Sequence, residues 1–174
     1  MKSICLTIFA AALAMTVSAC GNKAQTTEAP QTAQAADTIK DGTTYEGKNY
    51  SLVYPKELKE TYADEEIINA EDQSDNYCHL DATYNDYGPT LDQLKLYATN
   101  WVGMKEAEGC SVDKPAIDGK NITIKAVKDG ETEIHFVVMK EDRIGISGSL
   151  KFKSEKLADY EPVVKSIMNS IKFK

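Results

Sequence analysis

Residues 118–140 read DGKNITIKAVKDGETEIHFVVMK, and this stretch decides the fold. Asp118-Gly119 and Asp129-Gly130 are hairpin signals, because the positive backbone angles of tight turns suit Asp-Gly. Between them Ile122, Ile124 and Ala126 share one face, at the alternation of a strand. Beyond the second turn, Glu133 to Lys140 puts Ile134, Phe136 and Val138 on one side and Val137 and Met139 on the other. A strand that is apolar on both faces is covered on both, so it belongs inside a sheet. The turn at Glu141-Asp142 then leads into Ile144, Ile146, Leu150 and Phe152, which continue an antiparallel meander.

Upstream, Thr43-Thr44-Tyr45 and a turn at Gly47-Lys48 precede Tyr50, Leu52 and Tyr54, which alternate until Pro55 stops the strand. Ile67 to Ala70 and Tyr77 to Tyr84 form a second pair across the polar loop from Glu71 to Asn76. Gly88-Pro89-Thr90 introduces a helix that Thr90 caps. Its stripe is Leu91, Leu94, Tyr97, Ala98, Trp101 and Val102, and Gly109 ends it. A closing helix carries Val163, Val164, Ile167, Met168 and Ile171, with Ser154 as its cap and Pro162 as a point of interruption. The expected class is α+β: an antiparallel sheet of about six strands with helices packed on it.

The first 19 residues are set apart from this domain. After Lys2, the apolar run Ile4 to Val17 is too short to cross a bilayer, which takes roughly 20 residues, and has the form of a secretory signal. Its end, Val17-Ser18-Ala19-Cys20-Gly21-Asn22, resembles the lipobox of bacterial lipoproteins. That resemblance implies cleavage after Ala19 and a lipid on Cys20, so the chain meets a membrane through its lipidated end. The alternative is an ordinary signal peptide with Cys20 left as a chance thiol. Residues 20–42 have almost no large apolar side chains and read as a flexible tether, leaving 43–174 as one globular domain. Without the leader the balance is 19 basic to 27 acidic residues, which argues against nucleic acid or anionic lipid as the main partner. A monomer on the outer membrane or cell surface is expected, because Gly21 replaces the aspartate that often signals inner-membrane retention.

A second resemblance covers most of 43–174. The strand Tyr50-x-Leu52-x-Tyr54-Pro55, the central helix, the meander and the ending Tyr160-x-Pro162-Val163-Val164-x-x-Ile167-x-x-Ser170-Ile171-x-Phe173 are similar to the PsbP-like fold. Photosystem II extrinsic subunits, a nuclear-import release factor and many bacterial lipoproteins share it. The resemblance implies an α/β/α sandwich whose members mainly bind partners. No functional residue carries over from it, and a fold alone does not assign an activity.

Sites are sparse. Cys78 and Cys110 remain after Cys5 in the leader and Cys20 at the anchor. A strand advancing about 20 Å and a helix returning about 27 Å leave them near one end. In an exported domain this favours a disulfide, the alternative being two buried thiols. Tyr77, His79, Tyr84 and Tyr87 surround the turn before the helix and form the candidate ligand patch. His135 reads as a core histidine. Neither histidine has the close ligand spacing of a zinc site, and no cofactor motif occurs. Asp64-Glu65-Glu66 and Glu71 to Asp75 do not follow a calcium loop. Gly145, Ser147 and Ser149 sit in a strand, where small residues admit a close neighbour or floor a shallow groove. No catalytic constellation is legible. The expected role is therefore a non-enzymatic binding or accessory module for an envelope protein or small ligand, with a hydrolase of dispersed acids and histidine as the alternative.

Overall fold

The computed structural model describes residues 39–72, 74, 77–85, 91–119, 121–141 and 143–174. Cys20, most of the tether, Tyr87 and the cap at Thr90 lie outside them. Among the described residues there are two helices and eleven strands, all paired antiparallel in two sheets. The class is α+β as expected, but the count of about six strands falls short.

The small sheet has the order β1 (Thr43–Glu46), β2 (Tyr50–Tyr54) and β11 (Lys172–Phe173). The large sheet runs β3 (Lys59–Ala63), β4 (Ile67–Asp72), β5 (Cys78–Tyr84), β10 (Arg143–Lys153), β9 (Glu131–Lys140), β8 (Asn121–Lys128) and β6 (Ser111–Val112). β7 (Ala116–Asp118) also pairs with β8. Asp129 and Gly130 both have positive φ, at 51° and 80°, as the hairpin signal required. β9 is interior, with β8 and β10 on its two sides and side chains buried on both faces. The unanticipated strands are mostly edges. β3 is exposed along nearly its whole length, and β6, β7 and β11 span only two or three residues, so burial left no alternation to read.

Helix α2 (Leu157–Ser170) and the small sheet cover one face of the large sheet. There Tyr50, Leu52, Ile68, Leu80, Phe136 and Phe152 are fully buried. Tyr50 also donates its hydroxyl to the Ala82 carbonyl at 3.1 Å, fixing the small sheet to the large one. Helix α1 (Leu91–Ala107) covers the other face over β6, β8 and β9, through Leu94, Ala98 and Trp101 against Ile122, Ile124, Val137 and Met139, with Val112 at the edge.

Three local expectations change. α2 runs through Pro162 without interruption, and its N-cap is Lys156, with no side-chain cap bond. Ser154 instead shares a hydrogen bond with Thr132 Oγ at 2.8 Å, one turn earlier. Ile39, assigned to the tether by composition, packs against the core, so the domain boundary lies before residue 43.

Candidate functional site

Register places three polar rows on the half-face that α1 leaves uncovered. In the middle row Tyr62, Asn69, Asp81, Ser149 and His135 stand opposite one another from β3 to β9. Thr83 and Ser147 pair in the row on one side, and Glu71, His79, Lys151 and Glu133 in the row on the other. Because cross-strand partners share a face, strands at about 4.8 Å and alternate residues at about 7 Å make one continuous floor. α1 walls it along β9, and the half-exposed ring of Tyr62 marks the opposite rim.

The floor is held by hydrogen bonds among its own members. Ser149 donates its hydroxyl to Asp81 Oδ1. Asn85 Nδ2 donates to Ser147 Oγ at 2.7 Å, and His79 Nδ1 lies 3.1 Å from Glu71 Oε1. Burial raises the Asp81 carboxyl above the usual carboxylate range, while Ser149 and the neighbouring His79 pull it back. At the wall, His135 Nε2 shares a 2.9 Å hydrogen bond with the Tyr97 hydroxyl. The Trp101 ring stacks on the imidazole, with centroids 4.9 Å apart. Burial, together with the charge of Lys105, pushes His135 down to about 4, so its ring is neutral at pH 7.

The four-residue patch expected from sequence is divided. His79 lies on the floor, and Tyr77 sits at its Lys151 end, where burial raises its phenol despite the lysine charge. Tyr84 does not join them. It points to the opposite face and stacks on Tyr50 at 6.3 Å, because residues of odd and even number on β5 face opposite ways. Tyr87 lies outside the described residues. Sequence reasoning missed Asp81, Ser149 and Tyr62 as one group, since only the register of three strand pairs brings them together.

Cys78 and Cys110 are both free. They do sit at the same end of the sheet, but α1 crosses the sheet as it returns. Ser111, next to Cys110, pairs on β8, and the register then passes through β9 and β10 before reaching Cys78 on β5. Four strand spacings amount to roughly 19 Å, against about 7 Å for the widest disulfide. The two thiols also belong to different apolar clusters on opposite faces. Burial pushes the Cys78 thiol up to about 12, against the pull of the Tyr160 hydroxyl.

Other candidates resolve structurally. The Asp64 carboxylate accepts the Glu66 and Ile67 amides at 2.8 Å each, so this acid closes a turn. Of the three small residues on β10, Ser147 and Ser149 floor the trough. A register shift at Gly145 separates it from them, and the Phe173 ring occupies the space of its missing side chain. A cleft of about 410 Å³ opens on the other face between Leu58, Pro55, Tyr160 and Val163. Among the described residues no three metal-ligating side chains cluster, and no helix is long and apolar enough to cross a membrane.

No family model matches this chain, and no curated protein does either. Among solved structures it is similar to a protein of Bacteroides thetaiotaomicron VPI-5482, at 13% identity and a TM-score of 0.40. The match covers 78% of this chain and 49% of that one, so the chain spans about half the length of the structure it resembles.

Proposed function

We propose that this protein is a bacterial lipoprotein, anchored through Cys20 on the outer membrane or cell surface, whose PsbP-like domain acts as a non-enzymatic binding module. Its binding surface is the polar trough beside α1. The observation that carries this reading is the Asp81–Ser149 pair, set into the middle of the sheet between an aromatic rim and a helical wall. A floor on strands is rigid, so a ligand meets groups already in place. The occupant is a small ligand or a segment of an envelope protein.

Two measurements test the two halves of this reading. Metabolic labelling with a palmitate analogue should tag the wild type and leave Cys20→Ser untagged; equal labelling of both would refute the anchor. A photocrosslinking side chain at Tyr62 should give discrete adducts in intact cells that the same group at Lys165, on the α2 face, does not. Equal patterns from both positions, or no adduct from Tyr62, would refute the trough as the binding surface.

A hydrolase is the second reading, because His135 and Asp81 flank Ser149 in one row. Against it, the Ser149 hydroxyl donates its hydrogen bond to Asp81, not to a histidine, and Tyr97 holds His135 Nε2. Labelling of Ser149 by a fluorophosphonate would favour the hydrolase.

A further inference from the structure

Asp81 is the anomaly of the trough. Asp81 is half-buried, and a carboxylate withdrawn from water is normally paired with a cation, since an unpaired buried charge is costly. Among the described residues no lysine or arginine pairs with it, and the neighbouring His79, whose charge pulls the Asp81 carboxyl down, is itself held by Glu71 at 3.1 Å. The hydrogen-bond donors to Asp81 both belong to Ser149, its hydroxyl and its backbone amide, and an ionised carboxylate has about four acceptor positions to fill. The two lysines near this end are already engaged. Lys151 pairs with Glu131 at 2.7 Å, and Lys105 with Glu133 at 2.8 Å. His135, the next side chain along the row, is neutral at pH 7.

The flanks add to this. Tyr62, 50% exposed, stands two strands from Asp81, about 10 Å away, and offers a ring face at the rim. Beside it the Asp64 carboxylate accepts the Tyr62 hydroxyl at 2.7 Å. An aromatic face with carboxylates on either side suits a cation on an apolar stem, through cation–π attraction and stem packing. The chain as a whole carries a net charge of −7, which draws such a ligand in.

We infer that the trough binds a guanidinium or ammonium group, seated on Asp81 with its stem along the floor towards Tyr62. This rests on the trough being the binding surface and adds the chemistry of the occupant. A guanidinium fits best, because its parallel N–H donors can fill both carboxylate oxygens at once.

The test titrates N-acetyl-arginine amide into the full-length protein in detergent, following the emission of Trp101, the chain's single tryptophan. Saturable binding is expected, and N-acetyl-citrulline amide, equal in length but uncharged, should bind at least tenfold more weakly. Asp81→Asn should weaken the arginine probe by a similar factor. Ser149→Ala, which keeps the charge, should change it less than threefold, and Asp159→Asn on the other face less than twofold. Near-ultraviolet circular dichroism confirms that each variant is folded. Equal affinity for the citrulline probe, an unaffected Asp81→Asn, or binding of a neutral sugar such as glucose in place of both probes would overturn the inference. So would the absence of saturation. If Tyr62 crosslinking still gives its discrete adducts in that case, the trough remains a binding surface and only the cationic occupant is refuted.

Discussion

Lowering the pH from 7 to 5 offers a proton to His135 where the structure has room for a neutral ring only. The imidazole lies between Trp101 and the sheet and is 8% exposed, with the Lys105 ammonium nearby. Its ordinary value of 6.5 falls to about 4 in the fold. A group lowered on folding contributes stability that is present above its unfolded value and lost as the pH falls towards its folded value. Integrating proton uptake between those limits gives a loss of about 2 kcal/mol by pH 5 and about 3 kcal/mol by pH 4. Asp81 acts with the opposite sign, because its carboxyl is raised, so it gains relative to the unfolded chain as acid is added. The difference between wild type and His135→Gln isolates the imidazole: glutamine retains a partner for Tyr97 and does not titrate. Urea midpoints at pH 7, 6, 5 and 4 would supply both curves. The wild type should lose stability through the window from 6.5 to 4 more steeply than the variant, by about 2 kcal/mol at pH 5. Parallel curves would refute the assignment of a buried neutral His135.

Asp81→Asn should raise stability at pH 7, with the gain shrinking towards acid pH, because the ionised carboxyl is what burial opposes; equal midpoints for the two proteins at pH 7 would contradict this. Two glycine-to-alanine changes should have opposite signs in thermal melts. Gly148→Ala puts a methyl group against the Asp81 carbonyl and 2.7 Å from the Phe136 ring, and should cost about 3 kcal/mol. Gly103→Ala, in the middle of α1 with open space around it, should add about 1 kcal/mol. Iodoacetamide under native conditions should alkylate the partly exposed Cys110 and spare Cys78, as read by peptide mass mapping. A Cys78–Cys110 peptide in the unreduced digest would refute the separation of the two thiols.

What was legible in the sequence is what burial writes at a fixed period. Ile134, Phe136 and Val138 against Val137 and Met139 announced a covered interior strand, and the Asp-Gly turns set the limits of the meander. Trp101 and Leu94 likewise declared the inner face of α1. Edge strands leave no such record: in β3, Lys59, Glu60, Thr61 and Tyr62 are all exposed, and their pairing with β4 is a backbone matter. The cysteine expectation failed for a related reason. Rise per residue fixes how far a helix travels along the sheet but not how far it steps across, and Cys110 lies four strands from Cys78. The trough was invisible because Tyr62, Asp81, Ser149 and His135 come from four strands, and only the sheet order β3-β4-β5-β10-β9 makes them neighbours.

The position of the trough follows from the mismatch between the two layers on the large sheet. Seven ladder positions at about 4.8 Å give a width of roughly 30 Å, while one helix is about 10 Å across. On the inner face, α2 and the small sheet together are wide enough to seal the core. On the outer face α1 covers β6, β8 and β9, so β10, β5, β4 and β3 beyond it must present side chains that water or a ligand can satisfy. That requirement explains Asn69, Thr83, Ser147 and the His79–Glu71 pair, all neutral or mutually engaged. It does not explain a carboxylate in the centre of the floor. A serine or threonine at position 81 would keep the hydrogen bond to Ser149 without the desolvation that Asp81 suffers. A carboxylate that opposes its own burial, bonded by one serine and beside a histidine already engaged by Glu71, is complementary to something positively charged from outside the fold.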